Sequence, residues 1–216
     1  LEHLYAGKAW ANDLDRAEAS LGPFFFDCAV RYAENHDEIR LANPATWGGA
    51  GAEVGRAVAG ALFGLSRGPV MVYNGQMVGE KGEGAEGFGG ADARTTIFDY
   101  WSMPAFNDWW NGGALDGGGL PPRLRELRAW YVRLLDLLQE PAFAAGTFHP
   151  LNPANADNPF YGRIDQPDHS GRWFYSYVRY DPVSGDRALV AVNFHPTAPA
   201  RHVRIRFPEE MPDRIG

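Results

Sequence analysis

A strand-like segment that leads directly into a dense polar cluster is the feature of this sequence that most constrains its fold. Residues Phe24 to Tyr32 are strand-forming and half apolar, and they predict a buried β-strand. A buried strand whose carboxyl end opens into polar side chains is typical of functional sites in parallel α/β proteins. The alternative is a solvated turn and helix cap. Positions 34–40 carry six hydrogen-bonding side chains: Glu34, Asn35, His36, Asp37, Glu38 and Arg40.

The segments around this cluster predict a parallel sheet. Leu4 to Ala19 has helical periodicity that ends at Gly22 and Pro23, and Ala52 to Leu65 has it again. Val70 to Tyr73 is a short apolar run of the kind that is buried on both faces of a parallel sheet. The order helix, strand, helix, strand therefore predicts an α/β fold with right-handed crossovers.

The next part of the chain predicts a loop and two more helices. Gly79 to Asp92 is rich in glycine, and we expect its glutamates Glu80, Glu83 and Glu86 to be solvated. Neither of the glycine-rich phosphate-binding motifs is present, so nucleotide binding has little support. Pro104 to Asn111 predicts a short helix, and Pro121 to Gln139 predicts the longest helix of the chain.

From Ala142 onward the sequence pattern changes to short runs of alternating apolar and polar residues, separated by turn residues. Phe174 to Tyr180, Arg187 to Asn193 and His202 to Phe207 predict antiparallel strands, with a hairpin turn over Asp181 to Asp186. Three strands are too few for a closed sandwich. We therefore predict two domains, residues 1–141 and residues 142–216, the second being an incomplete β domain.

The composition of the chain limits the classes of partner that it is expected to bind. The net charge is -7 with both signs interspersed, which gives no electrostatic footprint for nucleic acid. No apolar run approaches the roughly 20 residues that cross a bilayer, so no membrane partner is expected. The single cysteine, Cys28, predicts a buried, inert thiol and leaves the compartment open. No cofactor is indicated, and no metal site is expected because the C-terminal histidines lack ligand spacing: His149, His169, His195 and His202.

Two motifs at a characteristic separation carry a resemblance to a known family. The segment Glu34 to Glu38 followed by Arg40 resembles the end of the seventh barrel strand in glycoside hydrolase family 13, the α-amylase family. Gly68 to Gln76 resembles that family's eighth strand and its Tyr-Gly turn. The helix to Gln139 and the β unit after it look like the last barrel helix and the C-terminal β domain.

The resemblance implies the C-terminal portion of a (β/α)8 TIM barrel followed by an antiparallel β domain. Members of the family cleave or transfer α-glucosidic bonds with retention, so the implied partner is an α-glucan or maltooligosaccharide substrate. Asp37 corresponds to the third catalytic carboxylate, which binds sugar hydroxyls and stabilises the transition state. His36 corresponds to the histidine that donates a hydrogen bond to the same ring. Further predicted substrate-binding residues are Asn35, Arg40, Tyr73 and Asn74.

Several of these assignments have local alternatives. His36 and Asp37 are also compatible with a simple paired turn at a strand end. Arg40 and Glu38 are compatible with an ion pair to each other. A packing tyrosine at Tyr73 and a turn asparagine at Asn74 are equally compatible with the sequence.

The sequence departs from the family pattern at two points. Met77 stands where the family commonly has a glutamate, which puts the local polar network in doubt. The nucleophilic aspartate and the general-acid glutamate belong to the fourth and fifth strands, upstream of the resemblance. We therefore expect a chain of this kind to be inactive by itself and to associate with the missing barrel half or with another copy.

Three functions remain open from the sequence. The first is part of a retaining hydrolase that cleaves α-1,4-glucosidic bonds. The second is a transglycosylase on the same scaffold, because no residue here decides between water and sugar as acceptor. The third is a non-catalytic carbohydrate-binding or structural relative.

Overall fold

The structure is a computed structural model that describes residues 1–83, 94, 103–166 and 168–211. The predicted glycine-rich loop beyond residue 83, with Glu86, lies outside the described residues. Within the described part, the chain combines helices with a two-stranded parallel sheet and a three-stranded antiparallel sheet. A two-stranded sheet is too small to test the predicted barrel portion, which stays a prediction. In these residues no helix has the length and apolar character that crossing a membrane requires.

The chain divides into two compact units. The first consists of Leu1–Arg31, Gly60–Val70 and Asp136–Gly216, and the second of Tyr32–Ala59 and Met71–Leu135. The predicted domain boundary after residue 141 stays a prediction. This grouping assembles the first unit from three separate stretches of chain.

The predicted strand over Phe24 to Tyr32 is wrong over most of its length. Helix α1 covers Glu2–Tyr5, a 3-10 turn covers Ala11–Leu14, and helix α2 covers Asp15–Cys28. Strand β1 contains only Arg31–Tyr32. An apolar run of this length does not distinguish a strand from a helix by periodicity.

Local backbone chemistry defines where the second segment of α2 begins. Gly22 has φ 72, so it interrupts α2 where the sequence predicts a break, and Pro23 opens a second helical segment. Phe24 and Phe25 are 71% and 65% exposed, so neither supplies a buried strand face. Cys28 is also exposed, and the prediction of a buried thiol is wrong because the helix turns it outward.

The central helices confirm the periodicity of the sequence. Helix α3 covers Val54–Leu62, α4 covers Pro104–Trp110 and α5 covers Pro122–Leu137. Strand β2, Val70–Met71, pairs with β1, and it is shorter than the apolar run that predicts it. A backbone hydrogen bond from Arg31 N to the Pro69 carbonyl, 2.8 Å long, lies beside this pairing.

The antiparallel sheet lies in the first unit. Short helix α6, Pro141–Ala144, precedes β3, Thr147–Pro150. Strands β4, Phe174–Tyr180, and β5, Arg187–Asn193, have the predicted bounds, and the sheet order is β3-β4-β5. The predicted hairpin turn between β4 and β5 is confirmed by the 2.9 Å bond from Asp181 N to the Asp186 carbonyl.

The predicted third strand, His202 to Phe207, is wrong. Its backbone groups bind asparagine side chains and the Phe160 carbonyl instead of a neighbouring strand. Asn155 accepts from Arg206 N at 2.9 Å and donates to the Arg206 carbonyl at 2.9 Å, while Asn158 donates to the Arg204 carbonyl at 2.8 Å. Side chains that satisfy backbone groups in this way compete with sheet formation.

A buried arginine on β4 organises the interior of the first unit. Arg179 is fully buried, and its guanidinium donates to four carbonyl oxygens. These are the carbonyls of Leu65, Ala142, Phe143 and Gly146, at 2.9, 3.2, 3.0 and 2.7 Å. The side chain thereby satisfies carbonyls beyond α3 and in and after α6 that have no partner within a helix.

Candidate functional site

The polar cluster after β1 forms a closed turn. Buried Glu34 accepts the Leu41 amide through Oε2 at 2.6 Å, which joins the two ends of the turn. Asn35 Oδ1 accepts the amides of Asp37 at 2.8 Å and Glu38 at 3.1 Å. The asparagine therefore stabilises its own turn, as the local alternative predicts, but no helix begins there.

His36 and Asp37 lie at the tip of this turn and face solvent. Their side chains are 47% and 71% exposed, and His36 Nε2 lies 3.2 Å from Asp37 Oδ2. An exposed carboxylate beside an imidazole offers acceptor oxygens and a donor nitrogen at one point of the surface. This pair can bind vicinal hydroxyl groups.

Arg40 connects the turn to the segment that follows β2. Its Nη1 lies 3.2 Å from Glu34 Oε1, and its Nη2 donates to the Asn74 carbonyl at 2.7 Å. The guanidinium carbon lies 4.8 Å from the centre of the Tyr73 ring. The predicted site residues Arg40, Tyr73 and Asn74 are thus in contact, and the buried partner of Arg40 is Glu34 rather than Glu38.

Gly75 and Glu80 complete the buried part of the site. Gly75 has φ +85, and a Cβ atom there would lie 2.5 Å from Arg40 Nη2 and 2.8 Å from Glu80 Cβ. Glu80 is buried, so the prediction of a solvated side chain is wrong at this position. Its carboxylate accepts the amides of Lys81 at 3.2 Å and Phe106 at 3.1 Å, which replace the lost water.

Burial is the largest influence on the pKa values of Glu34 and Tyr73 in this site. Desolvation raises the pKa of Glu34, and the charge of Arg40 and the Leu41 amide oppose this rise. The charge of Glu80 adds to it. Desolvation also raises the pKa of Tyr73, with Arg40 opposing it. The interior of the site is therefore a low-dielectric environment in which a charged group carries a large desolvation penalty.

A cavity of about 240 Å³ adjoins Tyr73 and Asn74. The guanidinium carbon of Arg128 lies 5.1 Å from the centre of the Trp109 ring on its wall. The α4 and α5 side chains of this cavity were not predicted as site residues from the sequence. The signal that was available is the aromatic content of α4. The lining residues are Val72, Tyr73, Asn74, Gly75, Met77, Val78, Phe106, Trp109 and Arg128.

Neither a metal-binding cluster nor a match to a known protein assigns a further role to this site. No cluster of three or more histidine, cysteine or acidic side chains suited to a metal ion occurs among the described residues. Compared with models of known families, with curated proteins and with solved structures, the chain shows no significant match.

Proposed function

We propose that this chain is the C-terminal portion of a retaining α-glucan-active enzyme of the glycoside hydrolase family 13 type. Asp37 serves as its transition-state carboxylate. His36 and Asp37 bind hydroxyl groups of the sugar ring at the cleaved bond. The nucleophile and the general acid come from upstream barrel strands.

One observation carries the proposal. The two short motifs that resemble the family are 34 residues apart at Arg40 and Asn74, and a buried guanidinium joins them with a 2.7 Å hydrogen bond. Two unrelated surface turns would not need a shared, fully buried arginine. The contact supports a single site to which both motifs contribute.

The chemistry of the exposed pair is consistent with this role. A carboxylate that accepts two sugar hydroxyls favours the distorted, oxocarbenium-like ring of the transition state over the relaxed ring. The Asp37 side chain is 71% exposed, and its Oδ2 lies 3.2 Å from His36 Nε2. The turn holds this pair through backbone hydrogen bonds to Asn35.

The test uses the natural protein that carries this chain, assayed on starch and maltooligosaccharides. We expect Asp37→Asn to lower kcat/KM on the order of 1,000-fold, because one preorganised electrostatic contact to the transition state is lost. Asp136→Asn is the matched control, since Asp136 is an exposed carboxylate on α5 that the family resemblance does not assign to the site. Its activity should stay at the wild-type level.

The products then decide between the open alternatives. Free reducing sugars from maltooligosaccharides indicate hydrolysis, and longer oligosaccharides indicate transfer. A wild-type protein that binds maltooligosaccharides without converting them supports the non-catalytic alternative. Undiminished activity of Asp37→Asn would remove Asp37 from the mechanism.

A further inference from the structure

Arg40 and Glu80, both buried and charged, lie against the turn at Gly75, and buried Glu34 lies 3.2 Å from Arg40. The geometry points to Arg40 as a positioning residue that fixes the turn of Tyr73 and Asn74 against the turn of His36 and Asp37. The consequence for catalysis rests on the proposed function. The coupling of the two turns is a structural property and is measurable without substrate.

One side chain, that of Arg40, holds both turns. Arg40 belongs to the turn that Glu34 closes through the Leu41 amide. Its Nη2 donates to Asn74, and the same nitrogen leaves no space for a Cβ atom at Gly75. The separation of the two turns is therefore set by a guanidinium that cannot relax into solvent.

The contacts of Arg40 serve the geometry of the site more than its stability. Arg40 Nη1 is close to Glu34 Oε1, but the two atoms lack hydrogen-bond geometry, and Nε has no hydrogen-bond partner among the described residues. A buried ion pair of this kind is often no more stabilising than apolar side chains of equal volume. The planar, charged guanidinium of Arg40 instead fixes the direction and the distance of its contacts.

Glu80 holds the opposite side of the Gly75 turn. Glu80 Cβ packs at Gly75, and the Glu80 carboxylate accepts the Phe106 amide of α4. The sequence has Met77 where the family commonly has a glutamate, yet a buried carboxylate is present three residues later. Glu80 thereby connects this turn to the helix that carries Phe106 and Trp109 of the cavity.

The experiment compares amide hydrogen exchange in the natural protein that carries this chain. The main variant is Glu34→Gln/Arg40→Met, which removes both charges of the pair and avoids leaving one charge buried alone. We expect amides in residues 35–41 and 73–78 to exchange about 10-fold faster while the Tm stays near the wild-type value. Arg179→Met, which removes an equally buried arginine from the first unit, should not preferentially affect these two segments.

Kinetics on maltooligosaccharides supply the second readout. Misplaced turns should lower kcat on the order of 100-fold in the double variant, with KM changed by less than about 3-fold. A purely structural role of the ion pair predicts instead that the folded double variant keeps wild-type kcat. Arg40→Lys should recover part of the lost rate, because an ammonium can still donate to Asn74.

The outcomes separate the two proposals. Wild-type exchange in either segment of the double variant overturns the coupling by Arg40, whatever the substrate. Faster exchange in both segments with wild-type kcat overturns its role in catalysis. If Asp37→Asn has no effect or the wild-type protein ignores α-glucans, the proposed function fails, and the exchange data still decide the coupling.

Discussion

A Cβ atom on Gly55 would lie 2.6 Å from the phenol oxygen of Tyr131. Tyr131 is fully buried on α5, and its hydroxyl accepts a hydrogen bond from Gln76 Nε2 at 3.2 Å. The ring therefore has little freedom to move away. The glycine in α3 is required by this close approach, although glycine is a poor helix former.

We expect Gly55→Ala to lower the free energy of unfolding by about 2 kcal/mol, because overpacking outweighs the gain in helix propensity. Urea denaturation of the two single variants and the double variant with Tyr131→Phe measures the effect. Removing the hydroxyl should make the added methyl group nearly neutral. An equal loss from Gly55→Ala in both backgrounds would show that the clash is not the cause.

Arg179 supports a second stability prediction. Replacing it with methionine leaves four buried carbonyl oxygens without their donor, so we expect a loss of about 3 to 5 kcal/mol. Arg179→Lys should recover little, since an ammonium cannot reproduce the planar fork. The exposed Arg206, which pairs with exposed Asp157 at 2.9 Å, provides the control, and Arg206→Met should hardly change thermal unfolding. Similar losses at both positions would contradict the prediction.

Buried tyrosines predict a loss of stability in alkali. Desolvation raises the pKa of five of them above the ordinary value of 10, so the native state keeps protons that the unfolded chain releases. The contribution of these tyrosines to stability is therefore complete below about pH 9 and declines as the pH rises through 10. The five are Tyr5, Tyr131, Tyr161, Tyr175 and Tyr177.

One arginine acts in the opposite direction. Burial lowers the pKa of Arg179 to about 10, so the unfolded state binds the additional proton and the contribution of this group to stability rises with pH. Five groups outweigh one, and the free energy of unfolding should fall between about pH 9 and pH 11. Tyr177→Phe should make the decline shallower. Stability that is constant across this range would count against the raised values.

The turn that carries His36 and Asp37 gives a prediction for activity, conditional on the proposed function. Asn35→Ala removes the acceptor for the Asp37 and Glu38 amides, and we expect kcat/KM on maltooligosaccharides to fall roughly 10-fold or more. Asn35→Asp keeps that acceptor and should retain most of the activity. If both variants lose activity equally, the amide of Asn35 itself contacts the sugar, as the sequence analysis predicts.

The local sequence pattern predicted the helices and strands whose type and limits are marked by their own residues. The stripe of leucines defines α5, and the alternation on both sides of the Asp181 to Asp186 turn defines β4 and β5. In each case periodicity, turn residues and length agree, so few alternatives compete. The polar cluster at residues 34–40 was equally visible as a candidate site.

Longer-range competition explains the errors. The apolar run at Phe24 became helical, and the segment at Arg204 and Arg206 bound asparagine side chains from a distant loop. Neither choice is encoded in the run itself, because both states satisfy its local preferences. Contacts made elsewhere in the fold decide the outcome.

The same distinction applies to the site. The sequence by itself determined which polar residues follow β1, and the turn that Asn35 stabilises is a local consequence of that order. Only the tertiary structure decided that Arg40 pairs with Glu34 and contacts Asn74, and that Glu80 is buried. Pairing and burial depend on which segments exclude water together, and this is a property of the assembled interior that no local pattern records.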